Sequence, residues 1–240
     1  MTTRTISQQI NSLAFKSTVI ILLGIAPSLF LPLTAPAPTQ EDAAQWLMND
    51  LNGYMAGWIL QIILMIACTG VFAGAAWQIY STNPIRSILV WFLAAVSFVV
   101  FIIAKFINVW AVPLMARSLA AGSAERDTAE AFLTAANPSV SFGLVPTLDY
   151  LGFLFYGIMS IMLFRPLLRL SASAKVAAVS LLLYGVCTCL ALGAAVTAII
   201  SQGDTSAYVE SPAVFFLVAV IALLVRFNGQ RKPASGSVSK

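Results

Sequence analysis

The sequence predicts an all-α polytopic membrane protein, a six-transmembrane-helix bundle with two short amphipathic helices on its outer side. Its composition is the first reason: 60% of the 240 residues are hydrophobic and only 9% are charged, against about 25% in an average soluble domain. A soluble domain of this size needs a charged surface that these residues cannot supply. A soluble enzyme, a nucleic-acid-binding domain and a disordered chain are therefore excluded.

Six apolar runs are the second reason, because each is long enough to cross the hydrocarbon core, which takes about 20 helical residues. They are Ser17–Leu33, Tyr54–Tyr80, Ser87–Leu114, Tyr150–Leu168, Ala174–Ile200 and Val209–Phe227. Pro27 predicts a kink in the first run. We predict a single transmembrane domain over 1–231, followed by a disordered cytoplasmic tail at 232–240, because the tail is polar and contains Gly and Ser.

The first run also resembles a signal peptide, since basic residues precede it and Ala35-Pro36-Ala37 looks like a small-residue cleavage site. Cleavage there would place Pro38 at the first mature position, where it hinders a protease that binds an extended chain. We therefore expect an uncleaved first helix, with cleavage as the alternative.

Charge distribution along the chain is the third reason, and it also predicts the orientation. Ten of the thirteen basic residues lie in the N-terminal segment, the C-terminal segment and the links after the second and fourth runs, and no acidic residue does. All nine acidic residues lie in the alternate segments. Because basic residues are retained on the cytoplasmic side, both ends of the chain are predicted to be cytoplasmic.

Two segments on the predicted outer side have helical patterns. The first starts at Thr39 and Asp42 and reaches Leu51, and the second runs from Asp127 to Ala136. Each places apolar residues on one face, which predicts amphipathic helices on the outer surface. Spacers without that role are the alternative.

Small residues are spaced for close helix packing in two of the runs. Gly70 and Gly74 form a Gly-x-x-x-Gly pattern in the second run, and Gly185 and Gly193 continue a four-residue spacing in the fifth. Lipid provides no hydrophobic force between helices, so such smooth ridges favour association. We predict that the second and fifth helices make close contacts through these glycines, with a homodimer interface as the alternative.

Polar side chains within the runs are few, and most lie near the outer ends. Lys105 lies about 13 Å inside the third run at 1.5 Å per residue, with Asn108 one turn further out on the same face. Gln61 is in the outer half of the second run, and Asp149 precedes the fourth. These four residues predict an outer pocket, a candidate ligand site in which Lys105 pairs with Asp149. The alternative is a lysine that extends to the headgroups beside an interfacial acid, with no ligand.

Aromatic residues near the outer ends of the runs are interpreted as a membrane-interface belt and not as a ligand cage. They are Trp46, Tyr54, Trp58, Trp110 and Tyr150.

Catalytic and cofactor signatures are missing from the sequence. There is no histidine, the commonest ligand of haem and zinc and the commonest general base. The chain also lacks G-x-S-x-G, H-E-x-x-H, Walker and G-x-G-x-x-G motifs. We therefore predict no enzymatic activity, no cofactor and no metal.

The layout resembles small bacterial multi-pass membrane proteins of the DUF4386 type. The shared features are a first span with a long outer segment, a glycine-containing second span ending near Gln78-Ile79-Tyr80, a short basic inner turn, and the basic end of the fourth span at Phe164-Arg165-Pro166-Leu167-Leu168-Arg169. The resemblance covers most of the chain in architecture. It implies a bacterial cytoplasmic (inner) membrane and supplies no activity.

The function favoured by the sequence is therefore a non-enzymatic membrane protein that acts through helix–helix or lipid contacts in regulation or assembly. Its expected partners are membrane lipids and a homo-oligomer or another protein, with no nucleic acid. The alternative is a small transporter or a ligand-binding sensor that uses the pocket around Lys105. A deep polar cavity that reaches Lys105 would favour this alternative.

Overall fold

The computed structural model describes residues 3–33, 40–122, 125–137, 143–201 and 204–231, and the regular secondary structure in these ranges is entirely helical. The ten α-helices in these ranges are α1 (Thr3–Ser28), α2 (Gln40–Asn49), α3 (Leu51–Tyr80), α4 (Pro84–Phe106), α5 (Val112–Ala120), α6 (Arg126–Ala136), α7 (Leu144–Leu167), α8 (Ala172–Val196), α9 (Thr205–Glu210) and α10 (Ala213–Arg231). A π-helical turn, Ile107–Ala111, joins α4 to α5. The predicted tail at 232–240 and the Ala35–Ala37 cleavage site lie outside the described residues.

Six helical stretches in the described residues are long and apolar enough to cross a membrane. They are Ile6–Ser28, Leu51–Tyr80, Pro84–Ala120, Leu144–Leu167, Ala172–Val196 and Thr205–Arg231. The chain is a multi-pass membrane protein with an all-α fold, as the sequence predicts.

The first helix begins earlier than its apolar run. It starts at Thr3 and ends at Ser28, whereas the predicted span is Ser17–Leu33. Asn11 is buried and accepts a hydrogen bond from Gln78 Nε2 through Oδ1, at 2.6 Å. Because α3 supplies polar partners, these N-terminal turns are helical although hydropathy alone does not mark them.

The six spans form a closed ring in chain order. α1 packs on α3, α3 on α4, α4 on α7, α7 on α8 and α8 on α10, and α10 closes the ring against α1. Connections of three and four residues link α3 to α4 and α7 to α8, so these neighbours are antiparallel. We call the end that holds these two links the basic end, and the opposite end, which holds α2, α6 and α9, the acidic end.

The third span is extended by a wide turn. The backbone N–H of Val112 bonds the carbonyl of Ile107, five residues earlier, and Pro113 follows directly. Proline has no N–H, and its ring clashes with the carbonyl four residues before it, so a π-type turn relieves the clash and lets the helix continue. The span therefore continues past its predicted end at Leu114 to Ala120.

The two predicted amphipathic helices exist as α2 and α6, but their apolar faces do not lie free. Both pack against α5 and form a second core with it. Leu47 from α2, Leu119 from α5 and Leu133 from α6 are each buried in this core. The two amphipathic helices are therefore present as predicted, and the extension of the third span covers their apolar faces.

The glycine ridges pack closely, but not against each other. Gly70 and Gly74 of α3 face α1, at Ser17 and Ala14, while Gly185 of α8 faces Gly157 of α7. The predicted close packing is confirmed for Gly70, Gly74 and Gly185, and their neighbours in the ring are α1 and α7. Gly193 is not a packing residue, since a Cβ added there would meet nothing within 4 Å.

Candidate functional site

A cavity of about 430 Å³ opens inside the acidic end of the ring, between α3, α4, α7 and α9. Three of the four predicted site residues, Gln61, Lys105 and Asp149, line it. The other lining residues are Leu33, Trp58, Pro146, Tyr150, Phe153, Ser206 and Glu210. Glu210 is itself exposed, so the cavity reaches the surface of the protein.

Lys105 and Asp149 form a direct ion pair in the wall of this cavity. Lys105 Nζ lies 2.5 Å from Asp149 Oδ2, and the two side chains are 7% and 17% exposed. The pairing predicted from the sequence is therefore confirmed. The alternative, a lysine that extends to the lipid headgroups, is wrong, because the carboxylate on the adjacent span satisfies the charge inside the bundle.

Two aromatic rings surround the ammonium group. Lys105 Nζ lies 5.3 Å from the ring centroid of Trp58 and 5.7 Å from that of Phe101. At these distances the negative faces of aromatic rings attract a cation, and the attraction grows where water is excluded. The lysine is therefore held by one carboxylate and two rings, which leaves it little freedom to move.

Only one of the two carboxylate oxygens of Asp149 has a hydrogen-bond partner among the described residues. Its Oδ1 atom is buried and has no hydrogen-bond partner among the described residues. A buried acceptor without a donor costs free energy comparable to a lost hydrogen bond. A ligand that donates a hydrogen bond to Oδ1 would recover that free energy.

Asn108, the fourth predicted residue, supports the wall instead of lining the cavity. It is fully buried, and its Oδ1 accepts a hydrogen bond of 2.9 Å from the Tyr54 hydroxyl. Its Nδ2 donates to the carbonyl of Ala104 at 3.0 Å. Since Asn108 lies in the π-helical turn, these bonds tie that turn to α3 and hold Lys105, one turn away, in place.

The belt interpretation is wrong for two aromatic residues at this end. Tyr54 and Trp58 are 4% and 3% exposed; Trp58 lines the cavity, and Tyr54 bonds Asn108 behind it. Their spacing with Gln61 puts all three on one face of α3, and a stripe that combines rings with an amide could have indicated a site. Trp110, in contrast, is 62% exposed, as a belt residue should be.

Glu210 was not recognised as a site residue from the sequence. It lies at the end of α9, where its acidic side chain matches the charge pattern of an outer loop. Only the fold of α9 over the ring brings it to the same cavity as Asp149. No local pattern in the sequence carries this information.

Aromatic side chains close the ring interior below the cavity. Phe101 contacts Phe153 and Tyr156, with ring centroids 5.2 and 5.1 Å apart, and Tyr156 contacts Phe72 at 4.8 Å. Phe72 then stacks on Phe216 at 5.7 Å. This aromatic layer separates the cavity from the basic end in the described structure.

No family model, curated protein or solved structure matches this chain. The resemblance to DUF4386-type proteins therefore stays an expectation, and the geometry of the cavity is what supports a function.

Proposed function

We propose that this chain is a bacterial inner-membrane protein that binds a small cationic ligand in the cavity at its acidic end. The role is non-enzymatic, that of a ligand-binding sensor or a small transporter. The observation that carries the proposal is a cavity that reaches Lys105 and contains a buried carboxylate oxygen with no hydrogen-bond partner among the described residues.

The charge of the lining supports a cation over an anion. Asp149 and Glu210 contribute two carboxylates, and Lys105 contributes one ammonium group. Since Lys105 neutralises Asp149, the Glu210 carboxylate is left to neutralise a second cation, and Asp149 Oδ1 is left to accept a hydrogen bond from it. The rings of Tyr150 and Phe153 also line the cavity and suit an ammonium group.

The cavity supports this function over the one that the sequence favours, which acts through helix–helix or lipid contacts alone. A protein that acts only through its outer surfaces gains nothing from a buried ion pair, which costs desolvation energy. The aromatic layer below the cavity favours binding at one end of the ring over an open path. A transport cycle would require the rings of Phe101 and Phe153 to move.

The proposed orientation places the acidic end outside the cell and both ends of the chain in the cytoplasm. In a background without Cys68, Cys187 and Cys189, Thr3→Cys and Ser237→Cys should resist a membrane-impermeant thiol reagent in intact cells. Thr128→Cys, on the exposed face of α6, should react. Reaction of Thr3→Cys or Ser237→Cys together with protection of Thr128→Cys would show that the chain has the opposite orientation.

The ligand class can be tested by thermal unfolding of the purified protein in detergent. Small ammonium ions with N–H donors, such as methylammonium, should raise the unfolding temperature, and matched carboxylates such as acetate should not. Glu210→Gln should weaken the ammonium effect by about tenfold in affinity, because a charge-assisted contact is lost. Glu130→Gln is the matched control, since this exposed carboxylate on α6 does not line the cavity.

Three results would contradict the proposal. The first is stabilisation by carboxylates instead of ammonium ions, and the second is an equal loss in Glu130→Gln and Glu210→Gln. The third is no shift with any ammonium ion in the wild-type protein.

A further inference from the structure

A second and larger recess lies at the basic end, remote from the cavity around Lys105. It has a volume of about 840 Å³ and lies between the start of α4 and the last turns of α7. Its lining residues are Thr82, Asn83, Pro84, Ile85, Arg86, Leu89, Ile161, Met162, Phe164 and Arg165. We call this recess the basic groove.

The basic groove combines two cations with an apolar wall. Arg86 and Arg165 provide guanidinium groups, and Leu89, Ile161 and Phe164 provide hydrocarbon surface. Leu89 and Ile161 are 47% and 40% exposed, so this wall faces outward from the ring. A molecule that fits has an anionic group at the end of the span and an apolar part along it.

No carboxylate in the groove neutralises these arginines. None of the lining residues is acidic, and the sequence contains no acidic residue between positions 51 and 124 or between 150 and 203. Arg86 Nη1 donates to the carbonyl of Met162 at 3.4 Å, a long bond that uses one of five guanidinium N–H groups. The remaining donors suit the oxygens of a phosphate, which guanidinium groups bind through paired hydrogen bonds.

We propose that the basic groove binds an anionic phospholipid. Arg86 and Arg165 hold its phosphate, and an acyl chain lies against Leu89, Ile161 and Phe164. Basic pockets between spans bind anionic headgroups because the charges attract at a depth where water is scarce. In the proposed orientation the groove faces the cytoplasmic leaflet. The site is separate from the cation-binding cavity, so either can exist without the other.

The test uses the purified full chain in phosphatidylcholine nanodiscs, with and without phosphatidylglycerol. Native mass spectrometry should show phosphatidylglycerol retained by the wild type, and its presence should raise the unfolding temperature. Arg86→Gln combined with Arg165→Gln should lower phosphatidylglycerol affinity by about tenfold or more. Arg169→Gln combined with Lys175→Gln is the matched control, because both residues are exposed at the same end outside the groove.

The exposed position of Arg165 keeps the test falsifiable if the double variant does not fold. Arg165→Gln alone should fold normally in phosphatidylcholine and still retain less phosphatidylglycerol. Equal retention by this variant and the wild type, or an equal loss in the control pair, would overturn the proposal. Glycerol phosphate, which has the headgroup chemistry without acyl chains, should not displace the lipid at comparable concentration, and displacement would overturn the role of the apolar wall.

Discussion

Asp149→Leu is expected to destabilise the protein by about 3–5 kcal/mol, the cost of removing one partner from a buried ion pair. The residue left behind, Lys105, is 6% exposed, and its ammonium group would be surrounded by the rings of Trp58 and Phe101 without a counter-charge. Thermal or denaturant unfolding in detergent measures the effect. Glu130→Leu, at an exposed position of α6, is the control and should change stability little.

The double variant Lys105→Met with Asp149→Leu separates the ion pair from simple packing. Replacing both charges with apolar groups of similar size removes the desolvation cost, so most of the lost stability should return. The same variant should bind ammonium ions more weakly, because the acceptor oxygens of Asp149 are gone and only those of Glu210 remain. If it is as unstable as Asp149→Leu alone, the damage comes from packing and not from an unpaired charge.

Gly185→Leu is expected to have the second-largest effect, a loss of about 3 kcal/mol through overpacking. A Cβ built on Gly185 would lie 2.5 Å from the Gly157 carbonyl oxygen and 2.9 Å from Ile161 Cγ1. A backbone carbonyl cannot rotate away as a flexible side chain can, so α7 and α8 would have to separate. Unfolding in detergent should show the loss, and Gly185→Ala should show a smaller one.

Gly193→Leu is the matched control for this prediction. It lies on the same helix, and its Cβ would meet nothing within 4 Å. Leucine also has a higher helix propensity than glycine, by less than about 1 kcal/mol, so this variant should be neutral or slightly stabilised. Similar losses in Gly185→Leu and Gly193→Leu would mean that α7 and α8 are not in close contact at Gly185.

The ion pair was predictable because depth in a span follows from residue number. At a rise of about 1.5 Å per residue, Lys105 lies about 13 Å inside the third span and Asp149 lies at the entrance of an antiparallel span, so both are in the same half of the bilayer. The cost of an isolated charge at that depth then favours pairing. Gln61 was placed in the pocket for the same reason, because it lies at a comparable depth on α3.

The function of Asn108 and the burial of Tyr54 were not predictable in the same way. Both depend on the π-helical turn, which changes the direction of the side chains after Lys105. One extra residue in a turn rotates everything beyond it by about 100°, and composition does not reveal such a turn. Asn108 was therefore expected in the pocket and instead bonds Tyr54 behind it.

The sequence by itself determined the six spans, the segregation of charge between the two ends and the close packing of Gly70, Gly74 and Gly185. These properties are local, because crossing hydrocarbon requires a continuous apolar run and close approach requires a small side chain. The tertiary structure decided which helix each ridge meets, which rings face inward and how Glu210 reaches the cavity around Lys105. The physical reason is that lipid and protein interior are both apolar, so hydropathy does not distinguish the face of a span that meets lipid from the face that meets another helix.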